Sequence, residues 1–243
     1  MKTVIIVQAR MTSTRLPAKV LMPILGKPLL TYQIERMKRI KLADEIVIAT
    51  TTNDDDQTIV DLCEKLSISY FRGSELNVLE RYYEAAKKYN ADHVVRLTSD
   101  CPLIDPAVVD KVIAFYKENK SDYDYVSNTL KRTYPRGLDT EVFSFQILHQ
   151  AYQEAIEMSD KEHVTPFIYG HPDRYRLANV FHTENLSTHR WTVDTVEDFQ
   201  LIHRMIEQLY PIKQNFTLQD CIELLDQYPA WKNINSHIEQ KKM

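Results

Sequence analysis

Residues 8–19 read Gln-Ala-Arg-Met-Thr-Ser-Thr-Arg-Leu-Pro-Ala-Lys. They place three cations, Arg10, Arg15 and Lys19, five and four positions apart, with the hydroxyls of Thr12, Ser13 and Thr14 between the first two. Guanidinium and ammonium groups hold phosphate oxygens through charge-assisted hydrogen bonds, so such a loop can wrap a polyphosphate with its side chains. A solvated basic loop has the same composition. The phosphate reading is favoured because the loop directly follows a strand-like run and because residues 1–41 carry nine cations against one acid. Over the whole chain the balance reverses: 30 Lys and Arg face 34 Asp and Glu, a formal net charge of −4 on 243 residues. An anionic ligand is therefore expected at the N-terminal part.

Two carboxylates complement these cations. Asp100 follows the apolar run 94–97 and Asp194 the run 191–193, so both can lie at one sheet edge facing the loop. Mg2+ is held by one or two carboxylates together with phosphate oxygens and retained water, which Asp100 and Asp194 beside a triphosphate would supply. Each has an ordinary alternative as well: a turn or helix cap before Pro102 for Asp100, and a helix N-cap with Thr195 and Glu197 nearby for Asp194. The glycines Gly26, Gly73, Gly137 and Gly170 are too far apart for G-x-G-x-x-G or G-x-x-x-x-G-K-[ST], so phosphate binding must rely on side chains. Cys63, Cys101 and Cys221 form neither a C-x-x-C pair nor a zinc spacing, and their scarcity suits a reducing, cytoplasmic setting. Cys101 has no base beside it in sequence and reads as packing. The apolar run 4–7 is too short for a signal-peptide core, and no stretch of about 20 apolar residues suggests a membrane span.

The elements that must position these groups alternate. Residues 4–7 (Val-Ile-Ile-Val) and 45–50 (Glu-Ile-Val-Ile-Ala-Thr) have the continuous β-branched character of strands buried on both faces. Shorter strands are expected near 69–71, over 93–97 and over 123–127. Helices are expected from Pro28 to about Ile40, after the acids Asp54, Asp55 and Asp56, from Val78 to about Tyr89, and from about Pro106 to Tyr116. Four strand-to-helix units in the first 128 residues imply a mostly parallel sheet with helices on both faces, a Rossmann-like three-layer α/β/α fold. The alternation breaks in the basic, Pro- and Gly-containing segment 129–143, a candidate flap or dimer arm. Strands over 176–181 and 189–193 and helices over 196–209 and 218–227 complete a single domain spanning 1–243, with a frayed tail over 234–243.

The pattern A-R-x-x-S-x-R-L-P-x-K over residues 9–19 resembles the signature of the sugar-acid cytidylyltransferases, the group containing CMP-Kdo and CMP-sialate synthetases. G-K-P-L-L (26–30), D-x-P-L-I (100–104) and W-x-V-D-T-x-E-D (191–198) follow in that family's order. Within it, the run R-L-T-S-D-C-P-L-I-D (96–105) is most similar to spore coat polysaccharide biosynthesis proteins of the SpsF type. One departure is Ala18, where many relatives have glycine. The resemblance implies a nucleotidyltransferase fold, CTP as substrate, a homodimer, and a CMP-sugar with pyrophosphate as products. It assigns Arg10, Arg15 and Lys19 to the phosphates, with Ser13 between them, and Asp100 and Asp194 to the catalytic magnesium. Asn77 and Arg81 correspond to positions that meet base or ribose, although Arg81 could equally pair with Glu80 or Glu84 on an exposed helix face. Ala9 would let a pyrimidine edge lie against backbone.

For the sugar, the candidates are Arg136, Asp139 and Glu141, together with His163 and Thr165. An acidic sugar requires a cation, for which Arg136 offers a bidentate fork; a neutral or amino sugar would use Asp139 and Glu141. His163 is otherwise an ordinary helix residue, and Trp191 a core tryptophan. A glycosyltransferase of the GT-A type and a catalytically idle nucleotide-binding protein of the same fold are the competing functions. The basic loop suits a triphosphate better than a diphosphate-sugar. Net acidity, and cations without interleaved aromatics, argue against nucleic acid.

Overall fold

A computed structural model describes residues 1–239; residues 240–243, the end of the expected frayed tail, lie outside the described residues. Strand β1 (Thr3–Gln8) is followed by a two-stranded hairpin of β2 (Pro23–Ile24) and β3 (Lys27–Pro28), then helix α1 (Leu29–Met37). Next come β4 (Glu45–Thr51), α2 (Gln57–Lys65), β5 (Ser69–Gly73), α3 (Val78–Lys88), β6 (His93–Thr98) and α4 (Pro106–Asn119). The second half runs β7 (Tyr125–Ser127), β8 (Glu141–Ser144), α5 (Phe145–Glu154), α6 (Met158–His163), α7 (Pro166–Tyr169), β9 (Leu177–Asn179), α8 (Val196–Leu209) and α9 (Leu218–Gln227).

Among the described residues, seven strands form one sheet in the order β5-β4-β1-β6-β8-β7-β9. The first four are mutually parallel, and β8 runs antiparallel to both β6 and β7. Residues 4–7 are wholly buried, as their unbroken apolar run requires of a strand at the centre of such a sheet. One face packs Val4, Ile6, Val94 and Phe143 against Leu79 and Tyr82 of α3 and Leu148 of α5. The other packs Ile5, Val7, Val95 and Leu97 against Ile34 of α1, Ile59 of α2 and Ile113 of α4. Burying both faces explains the three layers, and the expected α/β/α fold is what forms. No helix among the described residues is long and apolar enough to cross a membrane.

The register of β1 on β6 brings Gln8 level with Thr98. Their following loops therefore leave the same carboxyl edge, at the point where the chain turns from building one side of the sheet to building the other. Ligands bind at such switch points in open α/β sheets.

The structure departs from the sequence expectations in several places. Segment 189–193 is extended but joins the sheet nowhere; a single bridge links Arg190 to Arg136. Its main chain bonds instead to loops, with Trp191 N–H donating to the Arg136 carbonyl (2.8 Å) and Val193 N–H to the Asp100 carbonyl (2.8 Å). The hairpin of β2 and β3 was not foreseen; its turn places Leu25 at φ 47° and Gly26 at φ 75°, the left-handed pair of a type I′ turn.

Segment 129–143 is no projecting arm. Tyr134 is 1% exposed and Phe143 0%, so the segment turns its aromatic side chains into the core rather than outwards. Gly137 adopts φ 99°, and a Cβ there would lie 2.6 Å from the Trp191 backbone. The segment is a wall packed on the strip that leads to Asp194. The tail expectation also fails in part, since Asn235 is buried.

Candidate active site

The loop after β1 folds back so that Lys19 reaches across to both acids. Lys19 Nζ lies 2.8 Å from Asp194 Oδ1 and 3.6 Å from Asp100 Oδ2, and it also donates to the Val193 carbonyl at 2.8 Å. Arg15 Nη2 lies 2.9 Å from Asp194 Oδ2. Four residues expected from the sequence to act together, from loops up to 179 positions apart, thus form one cluster at the carboxyl edge.

Neither aspartate is a helix cap. Asp105 caps α4, and Thr195 caps α8 in a reciprocal box with Asp198. Asp100 is instead held by Thr98, whose Oγ1 donates to Oδ1, and by the Cys101 thiol at 3.3 Å from the same oxygen, which leaves Oδ2 to Lys19. Burial alone would push the Asp100 carboxyl up. The Lys19 ammonium and the bonds from Thr98 and Cys101 outweigh burial and hold it at about 2, so Asp100 is a carboxylate at neutral pH. Burial likewise opposes the charge on Lys19, but the two aspartates outweigh it and raise the ammonium above its ordinary value. The same burial, beside Asp100, pushes the Cys101 thiol well above its ordinary value. Cys101 is therefore a protonated donor, as its reading as packing implied.

An ammonium flanked by two carboxylates marks a place where a divalent cation would meet two acidic ligands. Among the described residues no group of three or more His, Cys, Asp or Glu could hold a metal ion. Remaining ligands would have to come from phosphate oxygens and water, the manner in which Mg2+ is commonly held.

The loop is anchored by acids that sequence reasoning did not connect with it. The Met11 N–H donates to Asp56 Oδ1 at 2.7 Å, so Asp56, read as a helix-dipole acid, is a buried tether instead. Glu75, in the loop after β5, accepts from Thr12 Oγ1 and from Asn53 Nδ2 (2.7 Å) and pairs with Arg10 at 3.7 Å. Ala18 adopts φ 56°, ψ 17°, a left-handed conformation that explains why glycine suits this position. The Ala9 N–H donates to the Ala49 carbonyl at 3.1 Å and is not available to a base. The Ser13 N–H closes a turn onto the Met11 carbonyl at 3.0 Å.

The expected base-contacting pair has structural roles. Asn77 caps α3, its Oδ1 accepting from the Glu80 N–H at 3.0 Å. Arg81 is 1% exposed and donates to the Ser74 carbonyl at 2.7 Å, so pairing with Glu80 or Glu84 on an exposed face is overturned. Burial, with Arg10 nearby, pushes its guanidinium down to about 10.

On the other side, the wall formed by 129–143 carries three of the expected sugar residues, of which Asp139 lies near enough to Cys101 to help raise its thiol. Asp139 is already gripped by both guanidinium nitrogens of Arg132, one at 2.8 Å. Glu141 is buried against Arg96 of β6, with Oε2 lacking a hydrogen-bond partner. Arg136, half-buried, has no ion-pair partner among the described residues; burial and then Arg132 lower its guanidinium, Asp139 opposes, and Arg190 adds to the lowering. His163 ends α6 on the sheet face that carries Glu141. There the Thr165 N–H donates to the His163 carbonyl (2.9 Å) across Val164 at φ 74°, ψ −52°, a γ-turn of the rarer hand. Trp191 is wholly buried, a core residue as expected.

Arg132, Glu75, Arg190 and Asp198 were missed by sequence reasoning. A signal existed for Asp198 alone, in the T-x-x-D spacing from Thr195 that announces a reciprocal cap. The others act through partners distant in sequence.

A mostly parallel α/β sheet whose switch point carries Arg15 and Lys19 of the loop after β1 paired with two aspartates has the arrangement of an α/β nucleotidyltransferase. The chain belongs to the cytidylyltransferase family, whose pattern it matches over residues 4–234, and it is an enzyme of that class. A solved cytidylyltransferase from Leptospira borgpetersenii is similar over 100% of both chains, with a TM-score of 0.92 at 31% identity. The spore coat polysaccharide biosynthesis protein SpsF of Bacillus subtilis is 33% identical over 231 residues, covering 92% of this chain and 94% of that protein. A solved CMP:2-keto-3-deoxy-manno-octonic acid synthetase complexed with CTP shares the fold, with a TM-score of 0.66 at 17% identity over 86% of this chain and 99% of that one. The motif resemblance and the expected fold are borne out.

Proposed function

We propose that this enzyme transfers CMP from CTP to the hydroxyl of an acidic sugar, forming a CMP-sugar and pyrophosphate. The observation that carries the reading is Lys19 Nζ standing between Asp194 (2.8 Å) and Asp100 (3.6 Å) with Arg15 on the same Asp194. Each cation is neutralised by an acid of the protein's own, so the site is electrostatically closed without ligand. On binding the nucleotide, Arg10, Arg15 and Lys19 exchange their carboxylates for phosphate oxygens and hold the leaving pyrophosphate. Asp100 and Asp194, released by the same exchange, would hold Mg2+, which supplies charge neutralisation at the phosphates when bound. The acceptor hydroxyl attacks the α-phosphorus in line, the bond to the β-phosphate oxygen breaks, and the hydroxyl proton passes to solvent. Positioning and charge compensation suffice for such a reaction, with no covalent enzyme intermediate.

Arg136 supports an acidic acceptor. It is a half-buried guanidinium beside Arg132 and Arg190 with no ion-pair partner among the described residues, whereas Asp139 and Glu141 are already paired with Arg132 and Arg96. The name of the Bacillus subtilis relative supports a product destined for cell-surface polysaccharide. A homodimer and a cytoplasmic location belong to the same reading, resting on resemblance and on cysteine scarcity. The test is a screen of nucleoside triphosphates against sugar acids and neutral sugars by pyrophosphate release; release that requires CTP and an acidic sugar is expected, and release with neutral sugars alone would overturn the acceptor assignment.

A further inference from the structure

Behind Asp194 stands a buried network that ends in the C-terminal segment. Asp198 is 0% exposed and its carboxylate accepts from every side. Oδ1 takes Arg190 Nε at 2.8 Å and Asn235 Nδ2 at 2.8 Å. Oδ2 takes Arg190 Nη2 at 2.9 Å and the main-chain N–H groups of Asp194 (3.0 Å) and Thr195 (3.2 Å). Arg190 Nη2 also reaches Asp194 Oδ2 at 3.2 Å. Main chain and carboxylate of Asp194 are thus both referred to Asp198, one directly and the other through Arg190.

Asn235 touches both intermediaries. Its Nδ2 donates to Asp198 Oδ1 and, at 2.9 Å, to the Arg190 carbonyl, and the residue is 3% exposed. Deleting that amide leaves two buried acceptors each short of a donor, and such groups reorient or recruit water because an unpaired buried acceptor is costly. Reorientation turns Asp198 or shifts the Arg190 backbone, and either movement is passed to Asp194 through the bonds that join them.

We propose that Asn235 is a positioning residue for Asp194, so that the segment after α9 completes the acidic half of the site from behind. The proposal rests on the reading of Asp194 as a metal ligand. Outer-shell partners of metal-ligating carboxylates typically change metal affinity by about 10- to 100-fold, whereas a merely structural role would alter stability alone.

The test compares full-length wild type with Asn235→Ala, Asp194→Asn and, as a control outside the network, Asn233→Ala. Mn2+ is titrated as a paramagnetic probe with CTP present, metal-free CTP binding is measured by calorimetry, and melting is followed in parallel. Expected is a loss of Mn2+ binding in Asp194→Asn and a weakening of about tenfold in Asn235→Ala, with metal-free CTP binding retained in Asn235→Ala and Asn233→Ala like wild type throughout. Wild-type Mn2+ affinity in Asn235→Ala, with only a lower melting temperature, overturns the proposal while leaving Asp194 its role. Wild-type affinity in Asp194→Asn removes the reading beneath it. Should Asn235→Ala fail to fold, Asn235→Leu, which fills the pocket with a side chain of similar shape but no donor, carries the same test, and wild-type Mn2+ affinity in Asn235→Leu would equally overturn it.

Discussion

Replacing Lys19 with methionine keeps the length of the side chain and removes the charge that bridges the two acids. The size of the effect follows from Asp100, whose carboxyl ionises at about 2 in the fold against an ordinary 3.8. At about 1.4 kcal/mol per pH unit, that difference stabilises the fold by about 2 kcal/mol at neutral pH. Because the folded value is depressed, the contribution is complete above 3.8 and is lost as pH falls through it towards 2. After burial, which acts in the opposite direction, Lys19 is the largest influence on Asp100 and the first of those lowering it; Thr98 and Cys101 supply the rest. Asp194 retains Arg15 and Arg190. Lys19→Met should therefore lose ~1–2 kcal/mol at pH 7, a fall of roughly 2–8 °C in melting temperature for a chain of this size. Its stability should also become flatter between pH 4 and 2 than that of wild type. Urea unfolding at pH 7, 4 and 3 reads both quantities. A variant with wild-type stability and an unchanged acid slope would show that the ammonium does not compensate Asp100.

Gly137→Ala puts a Cβ 2.6 Å from the Trp191 backbone at φ 99°, so it should cost about 2 kcal/mol or more and, by shifting the strip to Asp194, lower kcat; a wild-type melt with wild-type kcat would show that this contact is not rigid. Glu75→Ala releases Arg10 and Thr12 together; the expected result is a several-fold rise in KM for CTP with kcat near wild type, measured by steady-state kinetics. Arg136→Ala should raise KM for the acidic acceptor by about 10- to 100-fold, the value of lost hydrogen bonds to a charged group, and leave KM for CTP unchanged, with Arg136→Lys recovering only part.

The central sheet and the chemistry at its carboxyl edge were legible in the sequence because both depend on local pattern. Unbroken β-branched runs at 4–7 and 45–50 can be buried on both faces only within a sheet, and the cations at 10, 15 and 19 follow the first of them. Asp100 and Asp194 were legible only as a pair, and their helix-cap alternatives fell once Asp105 and Thr195 were seen to occupy those positions. The partners of these groups were not legible. Glu75 meets Thr12 across 63 residues and Asn235 meets Arg190 across 45; the second contact depends on packing of the third core cluster, in which Trp191, Leu138 and Leu201 bring the C-terminal helices against the site. The wall at 129–143 was misread for a related reason. Its Pro and Gly signal irregular backbone, but whether irregular backbone projects or packs depends on Tyr134 and Leu138 finding that core. Asn77 and Arg81 were placed by resemblance, and their neighbours give them a cap and a buried brace.

The most direct test of the account follows the phosphorus of CTP by 31P NMR in the presence of Mg2+ and a panel of acidic sugars, for wild type and for Arg15→Ala and Asp100→Asn. The account predicts that wild type converts CTP into equal amounts of pyrophosphate and a new CMP phosphodiester, and that both variants melt cooperatively yet form neither. Pyrophosphate formation undiminished in both variants, or nucleoside diphosphate released from a nucleotide sugar by wild type with CTP left intact, would contradict it.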